Sequence, residues 1–271
     1  MFNKPEKFGY GLVLGHLPLL RRIIVRDIGS RYKGSFLGLL WSLFNPLLML
    51  AVYTFVFSVV FKARWGTHSD GSRLQFAIML FAGLIVHSFF AESINRAATL
   101  ITSNANFVLK VVFPLELLPC MAVGSALFQA VISFCVLLAA YALYDGVPHM
   151  TVLYAPVIFL PLVLITAGLT LFIASLGVFL RDIGQIASIG TTILMFLCPI
   201  FYPLESIPAR YQGYIKANPL TFFVQQMRDV VVLGHQPDWA GLAIATAAGA
   251  LIATGGLYWF YRTKRAFADV I

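Results

Sequence analysis

The stretch "VRDIGSRYKGSFLGLLWSLFNPLLMLAVYTFVFSVVF", residues 25–61, changes character at Lys33. Up to that point it carries Arg26, Asp27, Arg31 and Lys33; from residue 34 to residue 61 it carries no charge. An apolar run of about 20 residues is long enough for a helix to cross the hydrocarbon core of a bilayer. The junction therefore predicts a charged helix lying at a membrane surface, joined directly to a helix that passes through the membrane. That rod keeps polar interruptions. At about 100° per residue, Ser35, Gly38, Ser42, Asn45, Met49 and Tyr53 fall within one sector of it. Pro46 removes a backbone donor and crowds the preceding turn, so Asn45-Pro46 predicts a loosened helix.

The rest of the chain fits a lipid solvent. Of its 271 residues, 60% are hydrophobic and 11% charged, with a mean hydropathy of +0.87. A soluble domain carries about 25% charged residues, and this chain could not cover a water-facing surface of its size. The formal net charge of +8 matches no nucleic-acid motif; it fits Lys and Arg holding cytoplasmic segments against anionic lipid. Cys120, Cys135 and Cys198 are odd in number and form no CxxC pair, so neither a disulfide framework nor a metal site is expected. No cleavable signal is expected either, because a long charged segment precedes a first apolar run too long for one.

Six apolar spans are predicted, at residues 36–61, 74–95, 117–144, 151–180, 184–203 and 239–261. The expected fold is an all-α integral membrane protein of one domain, residues 1–271. Residues 1–35 form a cytoplasmic interface region, 36–261 the six spans and 262–271 a tail. Residues 17–33 read as an amphipathic helix, with Pro18 in its first turn and Leu17, Leu20, Ile24 and Ile28 on one face. Arg22, Arg26 and Lys33 cluster on the other face, Asp27 pairs with Arg31, and Gly29 and Gly34 are expected bends. With the N-terminus inside, 13 Lys and Arg fall on cytoplasmic segments and 6 outside, which favours two cytoplasmic termini. Between spans five and six, two short helices are predicted, too short to cross. Ser206 and Thr221 would cap them, and Asn218-Pro219 and Gly234 would stop them.

The sequence holds no P-loop, GxSxG or HExxH signature, so the chain is not expected to be an enzyme or to use nucleotide itself. Glu92 and Arg96, four apart, predict a local pair. Span five repeats the polar face of span one, with Ser188, Thr191, Thr192, Met195, Pro199 and Tyr202 together. Two such faces predict a path for a hydrophilic solute, lined by Ser42, Asn45, Met49 and Tyr53 and by Ser188, Thr192, Met195 and Tyr202. Small and hydroxyl residues also pack helices together in membranes, and that alternative stays open. The Arg181-Asp182 turn between spans four and five is either an anchor or a contact for a cytoplasmic partner.

Four fragments in order resemble the permease subunits of ABC-2-type polysaccharide exporters: "RDIGSRYKGSFLGLLWSLFNPLLMLAVYTFVF", "NANFVLKVVFPLELLP", "FLRDIGQI" and "CPIFYPLESIP" with "NPLTFFVQQMRD". The O-antigen (Wzm-like) branch is the nearest, ahead of capsule and teichoic acid. The resemblance implies a homodimer bound to two cytoplasmic ATPases, which hold the ATP and magnesium; no cofactor is expected in this chain. It implies a coupling helix near residues 104–114, with Phe107, Val108 and Leu109 meeting the ATPase and Lys110 at the rim. Arg181 and Asp182 would be a second contact, and the short helices of residues 206–234 would gate the exit. The implied cargo is a polysaccharide on a polyprenyl-pyrophosphate lipid. Arg22, Arg26 and Lys33 would then meet the pyrophosphate, since guanidinium groups offer parallel donors to its oxygens; attraction to phospholipid headgroups is the alternative. Competing functions are an ABC-2 permease for a drug or small lipid and, from another class, a secondary transporter or lipid scramblase. Against the latter stand the absence of carboxylates at span centres and of two matched halves.

Overall fold

In the computed structural model, residues 15–60, 73–109 and 113–271 are described, and among them no strand occurs. The chain runs α1 (Leu17–Arg31), α2 (Trp41–Tyr53), α3 (Arg73–Leu100), α4 (Ala105–Leu109), α5 (Leu117–Asp145), α6 (Ala155–Phe179), α7 (Ile183–Leu197), α8 (Ala209–Ala217), α9 (Pro219–Arg228), α10 (Trp239–Thr263) and α11 (Phe267–Val270). A 3-10 turn precedes α2 and a π-helical segment, Thr54–Val60, continues it. Among the described residues, five stretches are long and apolar enough to cross a membrane: Gly38–Phe57, Gln75–Leu100, Leu117–Leu143, Met150–Phe179 and Trp239–Val270. Each coincides with an expected span. The expected span 184–203 differs: α7 has 15 residues. At about 1.5 Å per residue that is about 22 Å, short of a hydrocarbon core of about 30 Å. The helix ends because Pro199 forces Cys198 into an extended conformation, φ −94° and ψ 140°.

α1 stops at Arg31, so Lys33 lies beyond it. The turn into α2 is made at Gly34 and Gly38, with φ of +86° and +51°, whereas Gly29 stays helical. Leu20 and Ile24 of the expected face of α1 pack against the bundle, but the inward face extends beyond the expected set. Ile23 is its buried residue and Leu17 is exposed. The apolar pattern missed this because the inward face also carries Asp27, which the bundle neutralises. Caps move too. α8 starts after Pro208, and the Ser206 hydroxyl donates instead to the Pro203 carbonyl. α9 is capped by Asn218, whose side chain accepts from the Leu220 N–H, while Thr221 donates to the Ile215 carbonyl. Gly234, at φ +69°, ends the following turn as expected.

α3 is the axis of the bundle, packed against α5, α6, α7 and α9. Close approach depends on small residues, which let backbones meet where no water drives association. A Cβ at Gly177 of α6 would lie 1.9 Å from the Ala98 carbonyl oxygen of α3, and one at Gly256 of α10 would lie 2.2 Å from that of Gly168. One end of the molecule gathers α1, α4, the end of α6, the end of α10 and α11 around a shared cluster that includes Ile23, Phe107, Val178, Phe260 and Phe267. The other end holds α8 and α9.

Candidate functional site

Pro46 sits inside α2 without breaking it. A proline lacks the N–H that would bond the carbonyl four residues back, here that of Ser42. The freed Ser42 carbonyl accepts from Gln129 Nε2 of α5 at 2.9 Å, so a second helix completes the bond. The intrahelical bond is missing at Asn45-Pro46 as expected, and its acceptor is satisfied from α5. Ser42 itself is buried, its hydroxyl donating to the Leu39 carbonyl at 2.7 Å.

One helical turn further, α2, α3, α5 and α7 enclose a cavity of about 400 Å³. Asn45, Met49 and Tyr53 of α2 meet Met195 of α7 there, with Ser88 and Glu92 of α3 and Gln129 and Ser133 of α5. Ser42, Ser188, Thr192 and Tyr202 do not line it. Ser188 and Thr192 are exposed, and the Thr192 hydroxyl donates to the Ser188 carbonyl at 2.9 Å. Thr191, between them in register, is the buried one. It donates to Asn95 Oδ1 at 3.2 Å, and its carbonyl accepts from His87 Nε2 at 2.9 Å. Tyr202 lies past the end of α7, where its hydroxyl donates to the Phe196 carbonyl at 2.8 Å. Tyr53 and Tyr202 therefore do not share a cavity within one chain. His, Cys, Asp and Glu form no group able to hold a metal among the described residues.

Arg22, Arg26 and Lys33 are all exposed, on different surroundings. Arg22 lines a surface hollow with Arg21, Pro18 and Val25. Arg26 lies over the Phe107 ring at 5.8 Å and lines a polar cavity of about 260 Å³ with Asp27, Ser30, Arg96, Thr99, Ser103 and Asn104. The expected Glu92–Arg96 pair is replaced by two pairs that cross from α1 to α3. Arg96 donates to both Asp27 oxygens, at 2.8 and 3.0 Å, and Arg31 donates to Glu92. The expected Asp27–Arg31 contact is present as well, at 3.5 Å, and Ser125 of α5 donates to Asp27 at 2.6 Å. A partner on a neighbouring helix wins over the local one because only the former satisfies both half-buried carboxylates. Burial pushes the Asp27 carboxyl up, but hydrogen bonds from Arg96 and Ser125 and the charges of Arg96 and Arg31 outweigh it and hold it below the ordinary range. A lowered carboxyl contributes its stability above its ordinary value and loses it only as pH falls through the lowered one, so the Asp27–Arg96 pair stands across the neutral range.

α4 occupies the expected coupling position. Phe107 and Val108 turn inward, with the Phe107 ring 4.7 Å from that of Phe113, and Leu109 points out. Lys110 lies outside the described residues. Arg181 and Asp182 are exposed in the turn between α6 and α7, whose preceding Phe179 packs at a tilt against Phe267 of the same end, with ring centroids 5.9 Å apart.

Residues 18–232 match the family described as ABC-2 type transporter. The chain belongs to that family. It is 28% identical to the O-antigen export system permease protein RfbA of Klebsiella pneumoniae over 260 residues, which cover 95% of this chain and 97% of that protein. It is 28% identical to the RfbA of Myxococcus xanthus over 255 residues, covering 93% and 95%. The polysialic acid transport protein KpsM of Escherichia coli is 23% identical over 221 residues, covering 81% and 83%.

In this ABC-2 family member the sequence reading missed one central residue. Arg228, one of the six Lys and Arg that the expected orientation places outside, is buried at the end of α9. It donates to the carbonyls of Met79 on α3 and of Pro199 and Ile200 beyond α7, at 2.9, 2.6 and 2.8 Å. Chain broken at a proline leaves carbonyls that lipid cannot satisfy, and a guanidinium supplies several donors at once. Gly83 of α3 makes the room, since a Cβ there would lie 3.2 Å from Arg228 Nη2. The available signal was an arginine inside the apolar run "FFVQQMRDVVV", close in sequence to the CPIFYP break.

Proposed function

We propose that this chain is the transmembrane subunit of an ATP-driven exporter that moves a lipid-linked, O-antigen-like polysaccharide across the cytoplasmic membrane. The observation that carries the reading is the near full-length similarity to O-antigen permeases in a chain whose spans enclose a cavity both polar and aromatic. Neutral sugars need hydroxyl and amide partners as well as aromatic faces, and Asn45, Tyr53, Ser88, Gln129 and Ser133 offer both. The chain works as a homodimer with two ATPase subunits, which bind ATP and magnesium. α7 and the chain after it form a sixth crossing, α8 and α9 stand at the outer face, and both termini are cytoplasmic. The clustering of α1, α4, the α6–α7 turn and α11 at one end supports that orientation. Leu109, with Arg181 and Asp182, meets the ATPase; Phe107 and Val108 brace α4 from within. Arg26 and Arg22 draw the lipid pyrophosphate toward α1, with Lys33 at the turn.

The test is export. Tyr53→Ala should lower cell-surface polysaccharide about tenfold and leave lipid-linked glycan in the membrane fraction. Phe55→Leu, on an exposed and different face of the same segment, should leave both unchanged. Surface polysaccharide that survives deletion of this chain would overturn the reading.

A further inference from the structure

α3 is enclosed on nearly every side, yet one line along it is open. From Phe76 to its end, its exposed residues are Ser88, Asn95 and Thr99, and Ala91, Glu92 and Arg96 are partly open. These positions recur at the helical period and form a single stripe. An open stripe on a lipid-facing helix is apolar, because polar side chains without water or partners are costly there. This stripe is polar at every position but Ala91. It also joins two hollows. Ser88, Ala91 and Glu92 line the cavity of about 400 Å³, and Arg96 and Thr99 line that of about 260 Å³. From Ser88 to Thr99 the rise is about 16 Å, half of a hydrocarbon core of about 30 Å. The two pairs from α1, Arg31 on Glu92 and Asp27 on Arg96, lie across the stripe where the hollows approach each other.

We infer that this stripe is a solvated half-channel that contacts the hydroxyls of a glycan, and that α1 closes it through those two ion pairs. The inference rests on the exporter reading and extends it to a wall that span one and span five do not supply. Ser88, Asn95 and Thr99, with Gln129 and Ser133 opposite, both donate and accept hydrogen bonds, as sugar hydroxyls do. Their partners are therefore exchangeable as a chain slides. When α1 withdraws, Glu92 gains acceptor capacity within the stripe and Arg96 becomes available beside Arg26 to an anionic headgroup. A mainly apolar cargo would gain nothing from such a line.

The test uses the full complex with its ATPase in lipid nanodiscs, in a chain freed of Cys120, Cys135 and Cys198. Single cysteines replace Ser88, Thr99 or, as a lipid-facing control, the 72% exposed Ile244 of α10. A membrane-impermeant cationic methanethiosulfonate should modify Ser88→Cys and Thr99→Cys at least tenfold faster than Ile244→Cys. Adding Arg31→Gln should speed Ser88→Cys several-fold further. Modification of Ser88→Cys no faster than the control overturns the half-channel, whether lipid or a second copy covers the stripe. In cells, Ser88→Leu and Ser133→Leu should each lower surface polysaccharide severalfold without changing the thermal midpoint of the purified protein by more than a few degrees. Rapid labelling with undiminished polysaccharide would overturn the glycan contact while the exporter reading stands. If wild-type chain supports no polysaccharide export, that reading fails first and the glycan contact falls with it.

Discussion

α2 and α3 are neighbours in sequence and equally apolar, yet the span built on α2 is buried inside the chain along only 11% of its most apolar stretch and that of α3 along 83%. α3 faces protein on almost every side; His87 and Ser93 are buried with partners, and its remaining polar residues from Ser88 onward form one open stripe. α2 leans on the bundle along a single edge, through Ser42, Pro46 and the ring of Tyr53, and turns Leu43, Leu47, Leu48 and Val52 outward. Hydropathy thus measures the wish to leave water and says nothing of whether lipid or protein receives the helix. The polar minority does say. On α2 Ser42 and Tyr53 lie on the seam with the bundle, and on α3 Ser88, Asn95 and Thr99 are aligned where the neighbouring helices of the chain leave it open.

The difference can be broken most severely at the glycines facing α3. Gly177→Leu would drive a side chain into the Ala98 backbone, with no flexible neighbour to yield. Overpacking a core costs about 1–3 kcal/mol even where side chains can adjust; here the helices must separate, and loss of nearly all folded protein is expected by size-exclusion chromatography in detergent. Leu48→Phe adds similar bulk to the outer face of α2, where Leu48 is 51% exposed, and should leave the yield unchanged. A normal yield for Gly177→Leu would mean that α6 and α3 do not approach as closely as described.

The next largest effect is expected at Arg228. Removing it takes a donor from three carbonyls and leaves them in an enclosed site. Hydrogen bonds to charged groups are worth about 1.5–3 kcal/mol each, and partial compensation leaves an expected loss of about 3 kcal/mol for Arg228→Leu. Arg228→Lys should recover less than half, because an ammonium cannot reach three acceptors in a fan. Equal thermal midpoints for the leucine and lysine variants would argue that bulk, rather than donor geometry, is what α9 brings to α3.

The sequence carried most of the helices and little of their partnering. Periodicity and length placed α5 and α10 within two residues at each end, because lipid enforces a continuous apolar run; the span expected at 151–180 began four residues early, where a 3-10 turn leads into α6. Lys and Arg asymmetry and the positions of Pro199, Asn218 and Gly234 were readable locally. Side-chain partners were not. Glu92 and Arg96 are ideally spaced for each other, and each chose a residue of α1, more than 60 positions away. Following the polar faces of two spans reached Asn45, Met49, Tyr53 and Met195, which line the cavity, but also Ser42, Ser188, Thr192 and Tyr202, which do not. Ser88, Gln129 and Ser133 escaped although Ser88 belongs to a polar stripe on α3 and Ser125, Gln129 and Ser133 recur every four residues on α5; only the packing reveals that these faces lie opposite α2.

The smallest expected effect is the most specific, because it tests what ties α2 to the bundle at all. The Ser42 carbonyl lost its helical donor to Pro46 and gained Gln129; the Gln129 Oε1 in turn lies 3.4 Å from the Tyr32 hydroxyl. Gln129→Leu keeps most of the bulk and strands that carbonyl, at an expected cost of about 1 kcal/mol, near the net worth of one hydrogen bond. Pro46→Ala restores an N–H in the right place, so the helix can bond the Ser42 carbonyl itself. In the Pro46→Ala background Gln129→Leu should therefore cost much less, and the two changes should couple by about 1 kcal/mol in a double-mutant cycle. Thermal midpoints of the four proteins in one detergent supply the cycle. Simple additivity would show that Gln129 does not stand in for the missing proline donor, and that α2 is held to α5 by shape alone.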